Sequence, residues 1–239
     1  MIETIYRYFP LTTYYILSVL FVVIVVHYFK NRSDQKKTQF LYILCFINFV
    51  AYVVNLYYFY LKGQHLLTML PLQLCNIAVF LIPLSIAYKK QLLMDFAFYL
   101  CLPGALAAIL IPSNDYEIVY SGITVSFYIF HGLIFFIPIL MSYWKFYQPA
   151  PSIKKGINLT IMTLGLGAVM HGFNVFMNTM FSIPANYFFT MMDLSAPTNP
   201  AFALFASWIP FDYFYLLPSL LVLYVYMLVL FSIKKKPIA

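Results

Sequence analysis

Charge is scarce in this chain. Asp, Glu, Lys and Arg make up only 9% of its 239 residues, while 64% are hydrophobic, against about a quarter charged and about half apolar in an ordinary globular domain. So few charges exclude a water-soluble fold, and they leave too little chain outside the apolar runs for a sizeable soluble domain. Acidic residues are the rarest class, seven in all, and none is an evident cavity-facing acid for coupling an ion. Cysteine is limited to Cys45, Cys75 and Cys101, all inside apolar runs, which excludes a disulfide framework and a thiolate-rich metal site. No Gly-rich phosphate loop follows a strand, and no His-Glu-x-x-His pair occurs, so nucleotide hydrolysis and zinc chemistry have no support. No metal and no cofactor is expected.

What the chain does have is a series of long apolar runs. They predict an all-α, polytopic membrane protein of one domain, residues 1–239, with seven transmembrane helices at about 11–29, 40–61, 66–88, 92–111, 117–144, 156–180 and 208–233. The first run is too long, and lacks a small-residue cleavage site, to be a removed signal peptide. Pro103-Gly104 predicts a kink within the fourth span, because proline removes a backbone hydrogen bond. Pro112 to Asp115 reads as a turn. Between Phe181 and Ser207, Pro184, Pro197 and Pro200 interrupt the pattern, so 181–207 reads as a re-entrant or surface loop.

The formal charge of +7 does not point to nucleic acid, because the basic residues sit in short clusters between apolar runs and form no stripe interleaved with aromatics. Lys30, Arg32, Lys36, Lys37, Lys89, Lys90, Lys145, Lys154, Lys155 and Lys234 to Lys236 fall on one side of a seven-span arrangement, twelve of the fourteen basic residues. Arg7 and Lys62 fall on the other. The positive-inside rule then places the N-terminus outside and the C-terminus in the cytoplasm of a cell-membrane protein. Asp95, just past Lys89-Lys90, is expected to pair with a lysine.

Polar residues recur inside the runs at helical spacing. Thr160, Thr163, Gly167, His171, Asn174 and Asn178 share one face of the sixth span, Ser121, Thr124, Tyr128 and His131 one face of the fifth, and Asn48, Tyr52 and Asn55 one face of the second. Gln73, Cys75 and Asn76 join them in the third. Two readings stand. Such residues bond transmembrane helices together at about 0.6 kcal/mol per contact, or they line a polar seam in the outer half of the bilayer. In the second reading Cys75 is a candidate nucleophile and His131 a candidate base. Counted along their spans the two differ in depth by roughly 7 Å at about 1.5 Å per residue. Asp212 and Tyr215, at the outer end of the seventh span, are candidates for the mouth of the seam.

Leu70-Pro71-Leu72-Gln73-Leu74-Cys75, His131-Gly132, Asn186-Tyr187 and Trp208-Ile209-Pro210 together resemble the YwaF-like bacterial membrane proteins, which are related to the eukaryotic transmembrane protein 164 family. The resemblance covers most of the chain. It implies a phospholipid acyltransferase working within the membrane, with Cys75 and His131 as the reactive pair. Gln73 departs from the pattern, where histidine is common, and glutamine cannot act as a base, so that role would fall to His131 or His171. The expected activity is an intramembrane acyltransferase or acyl hydrolase acting on membrane lipid through Cys75 and His131. Gln73, Asn76, Thr124, Tyr128, His171, Asn174, Asn178, Asn186, Tyr187 and Asp212 would line the cavity or bind substrate. The rivals are a binding or transport protein for a small amphipathic or lipidic molecule and a non-enzymatic subunit of a membrane complex. Membrane lipids are the expected partners, a membrane protein partner stays open, and nucleic acid is not expected.

Overall fold

The structure is a computed structural model that describes residues 2–112 and 121–234, with side chains described over 13–112 and 121–232. Among the described residues the chain is all-helical. In order the helices are α1 (Ile2–Phe29), α2 (Asp34–Leu61), α3 (Leu74–Tyr88), α4 (Gln91–Leu110), α5 (Gly122–Tyr143), α6 (Ile153–Phe181), the short α7 (Pro200–Trp208) and α8 (Ser219–Lys234). Asp34–Leu61, Gln91–Leu110, Gly122–Tyr143, Ile153–Phe181 and Phe214–Ser232 are long and apolar enough to cross a bilayer, and Thr13–Phe29 and Leu74–Tyr88 are shorter apolar helices.

Local sequence sets several helix starts. Ser33, Ser121, Ser152 and Asn199 each stand before a helix in extended backbone and accept a hydrogen bond from one of its first free N–H groups, on Lys36, Thr124, Lys155 and Ala201. α3 and α6 end on Lys89 and Ser182 in the left-handed conformation, at φ 51° and 54°. The core lies where α2, α3, α4 and α5 meet, around Leu41, Ile82, Tyr99, Ile134, Ile137 and Leu140. α2 and α5 run antiparallel. Asn55 locks their register, its Nδ2 donating to the Ile123 carbonyl at 3.3 Å and to Ser126 Oγ at 3.2 Å. α6 and α8 pack together, with Gly156 close to Tyr224 and Met227 and Thr160 Oγ1 2.9 Å from the Tyr224 hydroxyl. Aliphatic and aromatic side chains stay exposed on the outer faces, among them Leu17, Val23, Phe46, Ile161, Val169, Leu221 and Leu228. That inverts the water-soluble pattern and suits contact with lipid tails.

One ion pair ties the far end of this core. Asp95 of α4 accepts at a single oxygen, Oδ1, from Lys155 Nζ at 2.9 Å, Tyr147 Oη at 2.5 Å and Gln91 Nε2 at 3.1 Å. The expected lysine is therefore Lys155, and the bond joins α4 to α6. Lys155 also sits over the Tyr99 ring, 5.3 Å from its centroid. Burial and the neighbouring carboxylate push the Tyr147 phenol well above its ordinary range.

The boundaries differ from the sequence reading in four places. The third span does not begin at 66: Leu66–Thr68 form a single 3-10 turn, and helix begins only at Leu74, because His65 caps the turn and Pro71 interrupts the residues between it and α3. The irregularity expected at Pro103-Gly104 falls one turn earlier, as a widened π-helical turn at Ala97–Cys101. Proline has no N–H to return to the carbonyl four residues back, and the helix relaxes there. The 181–207 loop contains helical pieces, including Met192–Ser195 and α7. The last span starts near Phe214 rather than 208, since Trp208 closes α7. The turn predicted at 112–115 and the first residues of the fifth span, 117–120, lie largely outside the described residues, as do Lys235 and Lys236.

Removing one member of a buried ion pair strands the other, at a cost of about 3–5 kcal/mol. Lys155→Ala is expected to lower the melting temperature in detergent sharply, and Lys155→Ala combined with Asp95→Asn to recover much of the loss.

Candidate functional site

The stretch from Leu66 to Asn76 lies against the loop that comes after α6. His65 Nδ1 accepts from Leu67 N–H at 3.2 Å and holds the 3-10 turn. Tyr187, 1% exposed, then bridges that turn: its hydroxyl donates to the Leu67 carbonyl at 2.5 Å and accepts from Leu70 N–H at 3.1 Å. Gln73 closes the other side. Its Nε2 donates to the Asn186 carbonyl and its Oε1 accepts from Phe188 N–H, both at 2.8 Å. A side-chain amide thus copies the two-bond pairing of a neighbouring strand. Glutamine has no titrating group, so Gln73 does no acid or base work and serves here as a hydrogen-bonding support.

α6 holds the loop from beneath. Asn174, fully buried, accepts from Tyr187 N–H at 2.8 Å and donates to the Tyr187 carbonyl at 2.8 Å and to Thr190 Oγ1 at 2.9 Å. One turn on, Asn178 donates to the carbonyls of Asn174 and Ala185. His171 Nδ1 lies 3.2 Å from Thr190 Oγ1. Asn186 folds the loop on itself through Ser195 Oγ and Met191 N–H, and Asp212 accepts from Met192 N–H at 2.6 Å. The hydroxyl of Tyr215 donates to the Phe189 carbonyl.

These bonds hold a backbone that would not choose its shape. Phe188, Phe189 and Tyr213 all have positive φ, at 55°, 56° and 62°, a conformation costing a bulky residue on the order of 1 kcal/mol or more. The Tyr213 ring meets α6 at Gly167, where a Cβ would come within 3.0 Å, and its hydroxyl reaches the Leu164 carbonyl at 2.7 Å. A side chain at 167 would have to push the Tyr213 ring aside by a few tenths of an ångström.

Seven of the sequence candidates, Gln73, His171, Asn174, Asn178, Asn186, Tyr187 and Asp212, therefore belong to one network, and its bonds run largely to loop backbone. Thr190, Ser195, Tyr213 and Tyr215 complete it. Sequence reasoning missed the first three, because nothing in their spacing marks them, and it named Tyr215 only beside Asp212 at the mouth of the seam.

Cys75 is the second residue of α3, not nine residues into a span that begins at 66. Because Gln73 is turned toward the loop, it gives the helix no side-chain cap. The N–H groups of Leu74, Cys75 and Asn76 have no described acceptor, and the first intrahelical bond is Ile77 N–H to the Gln73 carbonyl. Leu74 packs where a Cβ on Gly104 of α4 would lie, at 3.4 Å. Cys75 itself is half-buried against the core.

His131 lies midway along α5 and is 8% exposed. Its ring sits against Phe127 and Phe130, with centroids 4.2 and 4.5 Å away. Nδ1 is 3.0 Å from the Phe127 carbonyl. A carbonyl only accepts, so Nδ1 carries the proton and Nε2 keeps its lone pair. Cys75 and His131 make no hydrogen bond to each other. Of the remaining candidates, Thr124 bonds Ser121 at the start of α5, and Tyr128 stacks on Tyr14 of α1 at 4.5 Å. Among the described residues no three His, Cys, Asp or Glu side chains gather as a metal site.

Apolar helices of bilayer length around a polar loop network define a multi-pass helical membrane protein. The chain matches the TMEM164 family over residues 6–231 and belongs to it. No curated protein and no solved structure matches.

If the Gln73 amide holds the loop, Gln73→Ala removes two hydrogen bonds and leaves a buried donor and acceptor unmet. The expected loss is about 2–4 kcal/mol, read as a lower melting temperature with faster proteolysis between 186 and 196. Asn174→Ala is expected to act in the same direction.

Proposed function

We propose that this protein is an intramembrane acyltransferase or acyl hydrolase acting on membrane lipid, with Cys75 as nucleophile and His131 as general base. The observation that carries the reading is the bond from His131 Nδ1 to the Phe127 carbonyl. It orients the ring and leaves Nε2 as the basic nitrogen, the role an orienting carboxylate has in other nucleophile–histidine pairs. The chain belongs to the TMEM164 family, the family whose resemblance implied this chemistry.

The proposed chemistry uses the two residues in turn. Nε2 takes the Cys75 proton, and the thiolate attacks the carbonyl carbon of a lipid ester. A C–S bond forms, the ester C–O bond breaks, and the proton passes from His131 to the departing lipid oxygen. In the second half, His131 takes the proton of a hydroxyl or of water, whose oxygen attacks the thioester and releases Cys75. The uncapped N–H groups at the start of α3 supply donors beside the sulfur for the oxyanion. Substrate arrival brings the pair into hydrogen-bond reach, as hydrogen bonds in such sites tighten in the complex.

The same reading takes α1 and α3 as spans beside the five longer ones, seven in total, with the N-terminus outside and the C-terminus cytoplasmic in the cell membrane. Fifteen residues of α3 rise only about 22 Å, short of a hydrocarbon core about 30 Å thick. The 66–73 segment and the loop clamped to it make up the remaining depth. Cys75 then lies below the outer edge of the hydrocarbon, at the level of ester groups and upper acyl chain. Lys62, between α2 and α3, faces outside, and Lys90, between α3 and α4, faces the cytoplasm.

Cys75→Ala and His131→Ala, each confirmed folded, are expected to lower acyl transfer or release by about 10³-fold or more in a labelled-phospholipid assay. Activity equal to wild type in either variant overturns the assignment. Lys62→Cys on intact cells is expected to react with a membrane-impermeant maleimide and Lys90→Cys only after permeabilisation; the reverse pattern overturns the orientation.

A further inference from the structure

α6 serves as a depth gauge for the segment that follows it. The helix has 29 residues, about 43 Å at about 1.5 Å per residue, against a hydrocarbon core about 30 Å thick. Its middle residue is Gly167, with fourteen residues on either side. Wherever the excess length is placed, Gly167 therefore lies at least about 8 Å inside the hydrocarbon.

Tyr213 sits at that level. Its ring meets Gly167, and its hydroxyl donates to the Leu164 carbonyl at 2.7 Å. Tyr213 belongs to the connection between α6 and α8, so backbone outside any long helix reaches the interior of the bilayer. A second pass of the same connection runs beside it: Tyr213 N–H donates to the Thr190 carbonyl at 2.8 Å. Thr190 is in turn held by His171 and Asn174, one and two turns along α6 from Gly167. Between the two passes the chain returns to the far end of α4, where Asn199 Nδ2 donates to the Ile111 carbonyl at 2.9 Å. The path goes in to Thr190, out to Asn199, and in again through α7 to Tyr213 before α8 carries it across.

The polar groups of both passes are met inside the protein. Asp212 accepts from Met192 N–H, and the Tyr215 hydroxyl donates to the Phe189 carbonyl. That is the condition under which irregular backbone persists at membrane depth. The opposite side is apolar and open, with Phe211 65% and Phe214 54% exposed on either side of Tyr213. From Gly156 to Ile233 there is no Lys or Arg, and the two carboxylates are Asp193 and Asp212. Asp212 is bonded, and Asp193 stands on the stretch that climbs toward Asn199. The rim joins the outward faces of α6 and α8, where Val169 and Leu221 are exposed. Water does not suit such a rim, and a soluble partner cannot reach this depth, whereas acyl chains suit the helix faces on both sides of it.

We infer that residues 187–217 form a re-entrant segment and that Phe211 and Phe214 are an interaction surface for phospholipid acyl chains, deep in the leaflet away from Lys155. Under the orientation proposed above this is the outer leaflet. The inference goes beyond the Cys75–His131 chemistry and does not depend on it. It also gives the last crossing its full depth: α8 has 16 residues, about 24 Å, and the re-entrant segment fills what remains.

Depth-dependent fluorescence quenching tests it. Trp144→Phe and Trp208→Phe remove the two native tryptophans, and Phe211→Trp and Phe214→Trp are introduced singly in that background. Each full-length variant that melts near wild type is reconstituted in phosphatidylcholine vesicles whose acyl chains carry bromine either near the ester or far down the chain, and iodide is the aqueous quencher. Both reporters are expected to be quenched at least about twofold more by the deep bromine than by the shallow one, and scarcely by iodide. Stronger quenching by the shallow bromine or by iodide overturns the inference and makes the segment a surface loop. Quenching by neither lipid nor iodide overturns it as well, because a second copy or another protein then covers the rim. Two reporters keep the test decisive if one of them fails to fold, and loss of acyl transfer has no bearing on either.

Discussion

Irregular backbone next to apolar helices persists only where its N–H and C=O groups find partners inside the protein. Here the partners are three side-chain amides. Gln73, Asn174 and Asn178 bond the backbone at Ala185, Asn186, Tyr187 and Phe188, and that fixes a loop whose next residues take positive φ. With the loop in place, Tyr187 reaches back to Leu67 and Leu70 and sets where α3 begins. The position of Cys75 therefore depends on a side chain a hundred residues away in sequence.

The direction taken by Gln73 has a chemical consequence. A residue just before a helix can cap it, or it can face elsewhere and leave the first N–H groups free. Gln73 faces the loop, and the turn that carries Cys75 keeps three uncommitted donors. Support of the loop and preparation of the helix terminus come from the same side chain. Under the proposed chemistry, the residue that departs from the family pattern has a positioning role, which glutamine fills without titrating.

Much of this was legible in advance for a plain reason. Apolar runs between basic clusters mark helices whatever their neighbours, and the stripe His171, Asn174 and Asn178 lies on one face because helical spacing requires it. Its partners were not legible. The amides of Asn174 and Asn178 meet loop backbone, and backbone groups leave no mark in sequence. The start of α3 is hard to read for a related reason: Leu66 to Leu72 is apolar enough to read as helix, and His65 and Tyr187 hold it as a turn ahead of Pro71.

The sequence by itself determined that the chain is helical and apolar, which side chains are polar within it, and that Asp95 would find a lysine. Tertiary structure alone decided that the lysine is Lys155, that Gln73 holds a loop, that His131 keeps its proton on Nδ1, and that Asn48 Oδ1 meets no partner among the described residues. Helices and burial follow from local composition, which each segment carries in itself. Which donor meets which acceptor depends on how the helices are laid side by side, and in a medium without water each such pairing has to be found inside the protein.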